Sequence, residues 1–460
     1  MARPRKNAAK VQGSLLAPDE VAEIPVEEQP YPLPEGWRWV RLGSTITLHR
    51  GVSYKKTDAH SIPSANDCLI MRGGNICEGS IELYTDNVYV DKSLISQDQF
   101  IKNLDIIIVT STGSKNVIGR AGIAFQDYQN VAFGAFLTLA RINDGYNKRY
   151  ISFYFQSDLY RNRIRKLANG VSINNVRSEY ITESELPFPP IDEQQRIVDR
   201  IESLFAKLDD AKAKAEAVLD SFEIRKAAIL HKAFTGELTE KWRNERGTKR
   251  EDWKNLTLND VAKWGSGGTP SRKHPEYYKG DIAWVKTGEL NNQYLYETEE
   301  HITPEAIENS SAKIFPRETV IIAMYGATIG QCAILGIPAA TNQACACAVV
   351  KSNVYNKFLY HYLASQKNCF INLGKGGAQP NISQTIVKEY PVALPSLPEQ
   401  REIVRILDSL LAKEQQVRDA AENVLNQIDL MKKAILARAF RGELGSHGSA
   451  RDSLPNNGSM

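Results

Sequence analysis

The chain has 460 residues, 42% hydrophobic and 24% charged, a soluble globular composition long enough for two to four domains at roughly 100–200 residues each. No stretch approaches the ~20 uninterrupted apolar residues of a membrane helix, which excludes a helical membrane protein. The 57 basic and 54 acidic residues leave a net charge of +3, too small to announce a polyanionic partner or to forbid one.

Residues 1–30 pass from a basic start, M-A-R-P-R-K, into an acidic stretch and are expected to be a disordered extension. No apolar core of signal-peptide length follows the basic residues, which points to the cytoplasm. Residues 31–187 are expected to form a first globule of mixed α/β character. Apolar runs at Asp105 to Thr110 and Ala132 to Ala140 predict strands, and R-G-G-N-I (Arg72 to Ile76) predicts a loop. A short helix over Arg149 to Lys166 carries Arg161, Arg163, Arg165 and Lys166 and precedes the loop G-V-S-I-N-N-V (Gly170 to Val176).

Residues 188–243 change character. After Pro189 and Pro190, apolar residues recur in steps of four and three at Ile197, Ile201, Leu204, Leu208, Ala211, Ala215, Val218 and Phe222, and Arg225 breaks the next slot. This is the a/d seam of a coiled coil, with Asp192 a candidate N-cap and Gly236 a stop. Residues 244–394 are expected to form a second globule, with strands at Thr319 to Met324 and Ala346 to Val350 and a helix near Lys357 to Asn368. Residues 395–444 form a second long helix. Its seam runs Ile403, Leu407, Leu410, Glu414, Val417, Ala421, Val424 and Ile428, between Ser396 as candidate cap and Gly442 as stop. Residues 445–460 are expected to be a second disordered tail.

The two helical blocks are one sequence written twice. Aligned without gaps, 22 of the 50 positions from Pro189 to Leu238 are identical in Pro395 to Leu444, far beyond chance. Upstream the likeness is weaker but in order. Trp37 answers Trp253, D-I-I-I-V-T (Asp105 to Thr110) answers T-V-I-I-A (Thr319 to Ala323), and Asn175 answers Asn381. The expected fold class is therefore α+β: two mixed α/β domains separated by two long antiparallel helices forming a coiled-coil spacer, with a pseudo-two-fold repeat. At 1.5 Å per residue, about 40 residues make each helix a rod of roughly 60 Å. Helices packed only on their own globules are the plainer alternative.

Catalytic patterns are missing. No phosphate-binding loop, dinucleotide fingerprint, nucleophile elbow or H-E-x-x-H occurs, and no [DN]-P-P-[YF] site of an amino-methyltransferase. The six cysteines have no repeated C-x-x-C spacing and read as reduced structural thiols, and no metal site is expected. What remains is recognition chemistry in loops. R-G-V-S-Y-K-K-T contributes Arg50, Tyr54, Lys55 and Lys56, the next loop contributes Arg72 and Asn75, and S-T-G-S-K-N contributes Ser111, Thr112, Ser114 and Lys115. In the second globule, G-G-T-P-S-R-K contributes Thr269, Ser271, Arg272 and Lys273, joined by Lys286 and Tyr325. Such residues donate to phosphate oxygens and read base edges. Singly each reads as a solvated loop; occurring twice at matching positions, they point to a DNA-binding face. The loops around Asn174, Asn175, Gln379 and Asn381 read as caps between globule and helix.

The P-P-x-x-E-Q-x-x-I-V helix starts, the G-x-x-x-x-N-[IV] loops before them and the A-[IL]-L-x-x-A-F-x-G-E-L helix ends resemble the specificity subunit of type I restriction-modification systems. S-T-G-S-K, F-G-A-F and L-Y-R-N-R-I resemble its enterobacterial branch, and the resemblance runs from Leu33 to Leu444. It implies a non-catalytic chain whose two target recognition domains each read half of a bipartite, asymmetric site in double-stranded DNA. It also implies that the helices set the gap and dock two methylation subunits, with motor-nuclease subunits in the full complex and no membrane. S-adenosylmethionine, ATP and Mg belong, on this resemblance, to the partner subunits. A coiled-coil scaffold that binds only proteins is the competing class. Half-sites about one DNA turn apart, ~34–36 Å, are expected. Inserting four residues after Ala211 should change the preferred gap and leave both half-sites as they were; a binding screen that returns the original gap would sink the ruler.

Overall fold

The computed structural model describes residues 21–83, 87–168, 174–374 and 381–444. The expected tails at 1–20 and 445–460, Gly170 to Ile173 and Gln379 lie outside the described residues. The expectation of disorder fails for residues 21–30. Val21 and Ile24 are buried, Glu23 bridges Val40, and the Ile24 amide donates to the Trp39 carbonyl at 2.8 Å. Two isolated apolar residues in an acidic stretch give no periodicity, so only the strand that receives them reveals their place.

The chain divides into two units, Met1–Lys214 with Val424–Met460, and Ala215–Asn423. Each therefore takes one globule together with segments of both helical blocks. In the first, a four-stranded sheet is ordered Ile46–Arg50, Leu137–Ile142, Ile106–Val109, Ala121–Ile123, and a three-stranded sheet is ordered Val88–Asp91, Asp67–Met71, Val131–Phe133. In the second unit, strands Ala262–Ser266, Cys345–Val350, Val320–Ala323 and Cys332–Leu335 follow the same order with Tyr294–Leu295 added. The companion sheet is Glu300–Ile302, Ile282–Val285, Ala339–Thr341, Ile314–Phe315. The inner strands Ile106–Val109 and Val320–Ala323 are buried throughout, as near-continuous apolar runs require.

The run Ala132 to Ala140, expected as one strand, is two. It breaks at Gly134 to Phe136, where the chain leaves one sheet for the other. The helix expected over Arg149 to Lys166 also divides, into Lys148–Gln156 and Asp158–Leu167. The Ser157 hydroxyl donates back to the Tyr154 carbonyl at 2.6 Å and accepts from the Tyr160 amide at 3.5 Å. Its counterpart divides at Gln366 into Asn356–Ser365 and Lys367–Leu373.

The long helices are Ile191–Asp220 followed by Phe222–Thr235, and Leu397–Phe440. Asp192 falls inside the first turn and not at the cap, whereas Ser396 directly precedes its helix. The paired glutamines do the same work at both starts. Gln194 Nε2 donates to the Pro189 carbonyl at 2.8 Å, and Gln400 Nε2 to the Pro395 carbonyl at 2.9 Å. Gly236 and Gly442 take φ of 92° and 78°, the left-handed stop that favours glycine.

Within each unit the two helical segments run antiparallel. In the first, Ile197 and Ile201 share a core with Leu436, Ala439 and Phe440, while Asp209 meets Lys432 at 2.5 Å. In the second, Arg418 lies over the Phe222 ring at 5.2 Å, and Glu414 pairs with Arg225 at 2.7 Å. On the first helix Ile197, Ile201, Ala215 and Phe222 are buried, and Leu204, Leu208, Ala211 and Val218 half-buried. On the second, Ile403, Leu407, Ala421 and Ile428 are buried, but Val417 and Val424 are 47% and 38% exposed, and Arg418 and Leu425, one residue further on, are half-buried in their place. A 3.6-residue helix drifts from a strict heptad, and one extra step of four at Glu414 resets the phase.

The polar residues that interrupted each seam thus meet. The Arg225 guanidinium also donates to the Val218 carbonyl at 3.3 Å and to the Ser221 hydroxyl, beside the break between Asp220 and Phe222. Glu414→Leu should lower stability by about 1–2 kcal/mol, because it strands a half-buried guanidinium. Adding Arg225→Leu should restore most of it in chemical denaturation; additive losses would mean that the pair is not coupled.

Candidate nucleic-acid interface

Between Val131–Phe133 and Leu137–Ile142 the chain reverses in a β-turn, the Leu137 amide donating to the Gly134 carbonyl at 2.9 Å. Ala135 and Phe136 are its corners. Three of the loops singled out from the sequence converge there. The Val52 amide, in R-G-V-S-Y-K-K-T, donates to the Phe133 carbonyl at 2.7 Å, and Val52 bridges Gly134. The Gly134 amide donates to Met71, beside Arg72, at 2.9 Å. The Thr110 and Ser111 amides both donate to the Phe136 carbonyl, at 3.0 and 3.1 Å.

The second globule repeats this wiring with other side chains. The Cys345 amide donates to the Asn342 carbonyl at 3.2 Å and closes a turn around Gln343 and Ala344. The Gly268 amide donates to Thr341 at 2.8 Å, the Asn342 amide to Val285 at 2.9 Å and the Met324 amide to Ala344 at 2.8 Å. These bonds bring G-G-T-P-S-R-K, Lys286 and Tyr325 to one place. Close approach dictates the glycines: a Cβ on Gly51 would lie 2.0 Å from the Gly134 carbonyl oxygen, and one on Gly267 2.0 Å from that of Thr341.

Arg50, Lys55, Lys56, Arg72, Ser114 and Lys115 are exposed around the first turn, with Ser111 and Thr112 half-buried. Thr269, Ser271, Arg272, Lys273 and Tyr325 are exposed around the second. Tyr54 packs half-buried against Cys68, Ile70, Val90 and Ala132. Asn75 is not available as a reader. It is buried, its amide oxygen accepts from the Arg72 amide at 2.8 Å and its NH2 donates to the Glu82 carbonyl at 2.9 Å, so it shapes its own loop. Asn175 and Asn381 are not helix caps: Asn174–Asn175 pair antiparallel with Ser111–Thr112, and Asn381 bridges Tyr325. Only tertiary pairing shows that these loops are laid beside the recognition loops.

Supporting charge lies underneath. Arg161, 2% exposed, donates to the Ile118 carbonyl at 2.7 Å and the Asn116 carbonyl at 3.2 Å and braces S-T-G-S-K-N from below. Arg272 lies 3.9 Å over the Tyr278 ring and 2.7 Å from Glu300, and Lys286 Nζ lies 2.7 Å from Glu299 and 3.2 Å from Glu300. Arg272 first, and Lys286 after it, hold the Glu300 carboxyl below its usual range. Among the described residues no group of three or more His, Cys, Asp or Glu is placed to hold a metal ion. F-G-A-F carries part of the family resemblance and T-N-Q-A carries none, and the two share no pattern beyond their place before a strand, so neither corner residue stands among the expected contacts.

Gly51→Ala should force the first turn apart, at about 1–3 kcal/mol for overpacking. Amide exchange should then quicken at Gly134 and Leu137 while Asn342 and Cys345 keep their protection; loosening of both turns alike would refute independent wiring.

A family model described as the type I restriction modification DNA specificity domain matches residues 34–219 and 250–426. The chain is 29% identical to the type I restriction enzyme EcoKI specificity subunit of Escherichia coli K12 over 425 residues, 90% of either chain. It is 28% identical to the StySPI specificity subunit of Salmonella potsdam over 422 residues, again 90% of either chain. In fold it is similar to the HsdS subunit from Thermoanaerobacter tengcongensis, at TM-score 0.60 and 19% identity over 90% of this chain and 99% of that one. A chain from a structure of type I restriction-modification complex assembly gives TM-score 0.67 and 19% identity over 90% of this chain and 100% of that one. Two copies of the matched domain on one chain, each with the same loop wiring, place this protein in the type I restriction-modification DNA specificity family, as a subunit that determines which DNA sequence is recognised.

Proposed function

We propose that each globule reads one half of a bipartite, asymmetric DNA site, with its convergent loops in the major groove. The observation that carries this reading is the repeated turn. The same backbone bonds hold the same loops in both globules, while the side chains presented differ, as two readers of different sequences require. Phosphate contacts then fall to exposed residues such as Arg50, Lys55, Lys56, Arg72, Lys115 and Lys273, whose charge positions the duplex without specifying it.

The long helices act as an antiparallel coiled-coil spacer that sets the unread gap and docks two methylation subunits, with motor-nuclease subunits completing the assembly. The chain itself is non-catalytic, and S-adenosylmethionine, ATP and Mg are bound by those partners. Local charge supports a DNA partner more than the total does: residues 31–186 carry 18 basic and 15 acidic side chains, and residues 244–394 carry 16 and 14. The complex acts in the cytoplasm.

The test is to co-purify the chain with an adenine methyltransferase and select bound duplexes from a random pool. Two short motifs at a fixed spacing are expected, with affinity falling steeply with salt. One contiguous motif, or retention of DNA without sequence preference, would overturn the two-reader mechanism.

A further inference from the structure

The two turn tips carry side chains that the recognition loops surround and do not cover. Phe136 is 70% exposed. A lone exposed apolar residue is ordinary on a protein surface. This one differs in how firmly it is held: its carbonyl accepts from the Thr110 and Ser111 amides and from the Thr110 hydroxyl at 3.2 Å, so the ring stands on an immobilised turn between polar loops. At the equivalent corner of the second globule stands Ala344, only 8% exposed, and the exposed side chain is its neighbour Gln343. The Thr269 hydroxyl donates to the Gln343 amide oxygen and orients the amide plane, while that oxygen keeps a second lone pair.

We propose that these two tips are base-reading elements of opposite chemistry: Phe136 packs on the C5-methyl group of a thymine, and Gln343 makes the paired hydrogen bonds to N6 and N7 of an adenine. In the major groove the thymine methyl is the apolar feature offered to a phenyl ring, and a glutamine amide matches adenine in both its acceptor and its donor. The immobilised backbone limits the entropy lost when either side chain docks. Thr269, named from the sequence as a contact, becomes the residue that positions Gln343. The inference rests on the two-reader mechanism above and assigns its residues.

The test uses the chain assembled with its methylation subunits and a random duplex pool. Phe136→Ala should remove a thymine preference at one position of one half-site and leave the other half-site as selected by the unaltered complex. Gln343→Ala should relax one adenine of the other half-site, with discrimination there falling roughly tenfold to a hundredfold. Replacing the thymine by deoxyuridine, which lacks only the methyl group, should weaken the unaltered complex roughly fourfold to tenfold, the scale of one buried methyl group, and leave the Phe136→Ala complex unchanged. Phe136→Leu should keep the thymine preference, since an apolar contact survives. Base preferences that persist in both alanine variants, or a deoxyuridine penalty equal with and without the ring, would overturn the assignment while the two-reader mechanism stands. A single contiguous motif from the unaltered complex would remove both.

Discussion

Everything in this chain hangs on the burial of long-helix surface inside the globules. Ile197, Ile201, Leu436, Ala439 and Phe440 are part of the first globule's core, and Leu230, Ala233, Ile403, Val404 and Leu407 are part of the second's. Each core is therefore completed by residues from both helical blocks, at least 170 positions apart in the chain. The helices are not free rods that happen to join two domains; without their apolar faces neither globule closes. The same burial anchors the helix starts. The carboxylate of Glu399, 3% exposed, accepts from Trp253, Thr239 and Arg243 at 3.0, 2.8 and 2.8 Å, joining helix, linker and the first strand region of its globule. A charge buried so deeply persists because both of its oxygens are hydrogen-bonded and Arg243 supplies the opposite charge.

The repeat is strict where it builds this frame and loose in the loops that converge on the two turns. One contact inside the frame differs in kind between the two units. Arg225 and Glu414 correspond, in the repeat, to Met431 and Leu208, so the polar pair in one unit stands where the other unit has two apolar residues. Pairing either helix with a second copy of itself would set the arginine against leucine or the glutamate against methionine. The charge pair thus favours the union of two different helices over that of identical ones, at some expense in apolar burial.

Much of the candidate site was legible, and what was missed has a physical cause. Loops rich in Gly, Ser, Lys and Arg announce a polar surface, and their doubling announces two such surfaces. Asn75 looked like a base reader because an asparagine in a glycine loop serves equally well as a structural bracket, and only its buried partners decide between the roles. Phe136 and Gln343 give no sequence sign of a contact for the opposite reason. One residue per turn gives no periodicity, and F-G-A-F lies inside an apolar run that imitates a single strand. Sequence places Asn175 and Asn381 just ahead of a helix, where caps belong, while the fold lays them across from Ser111 and Tyr325.

By itself the sequence determined the number of parts, their order and their kinship. Repeated helix starts and ends, apolar steps of three and four, and glycine stops are local or nearly so, and local rules suffice to read them. Tertiary structure alone decided where the inward stripe of the second helix shifts, since a one-residue change of phase after Glu414 moves Val417 and Val424 to the surface and no single turn of helix records it. It alone decided that three separate loops meet at one β-turn, because backbone hydrogen bonds between Val52, Met71, Thr110 and residues 133–136 span long sequence separations and carry no side-chain signature. A specificity subunit needs both kinds of information: a frame that any reader of the sequence can find, and a tip whose chemistry is free to change because the backbone, and not the side chain, holds it in place.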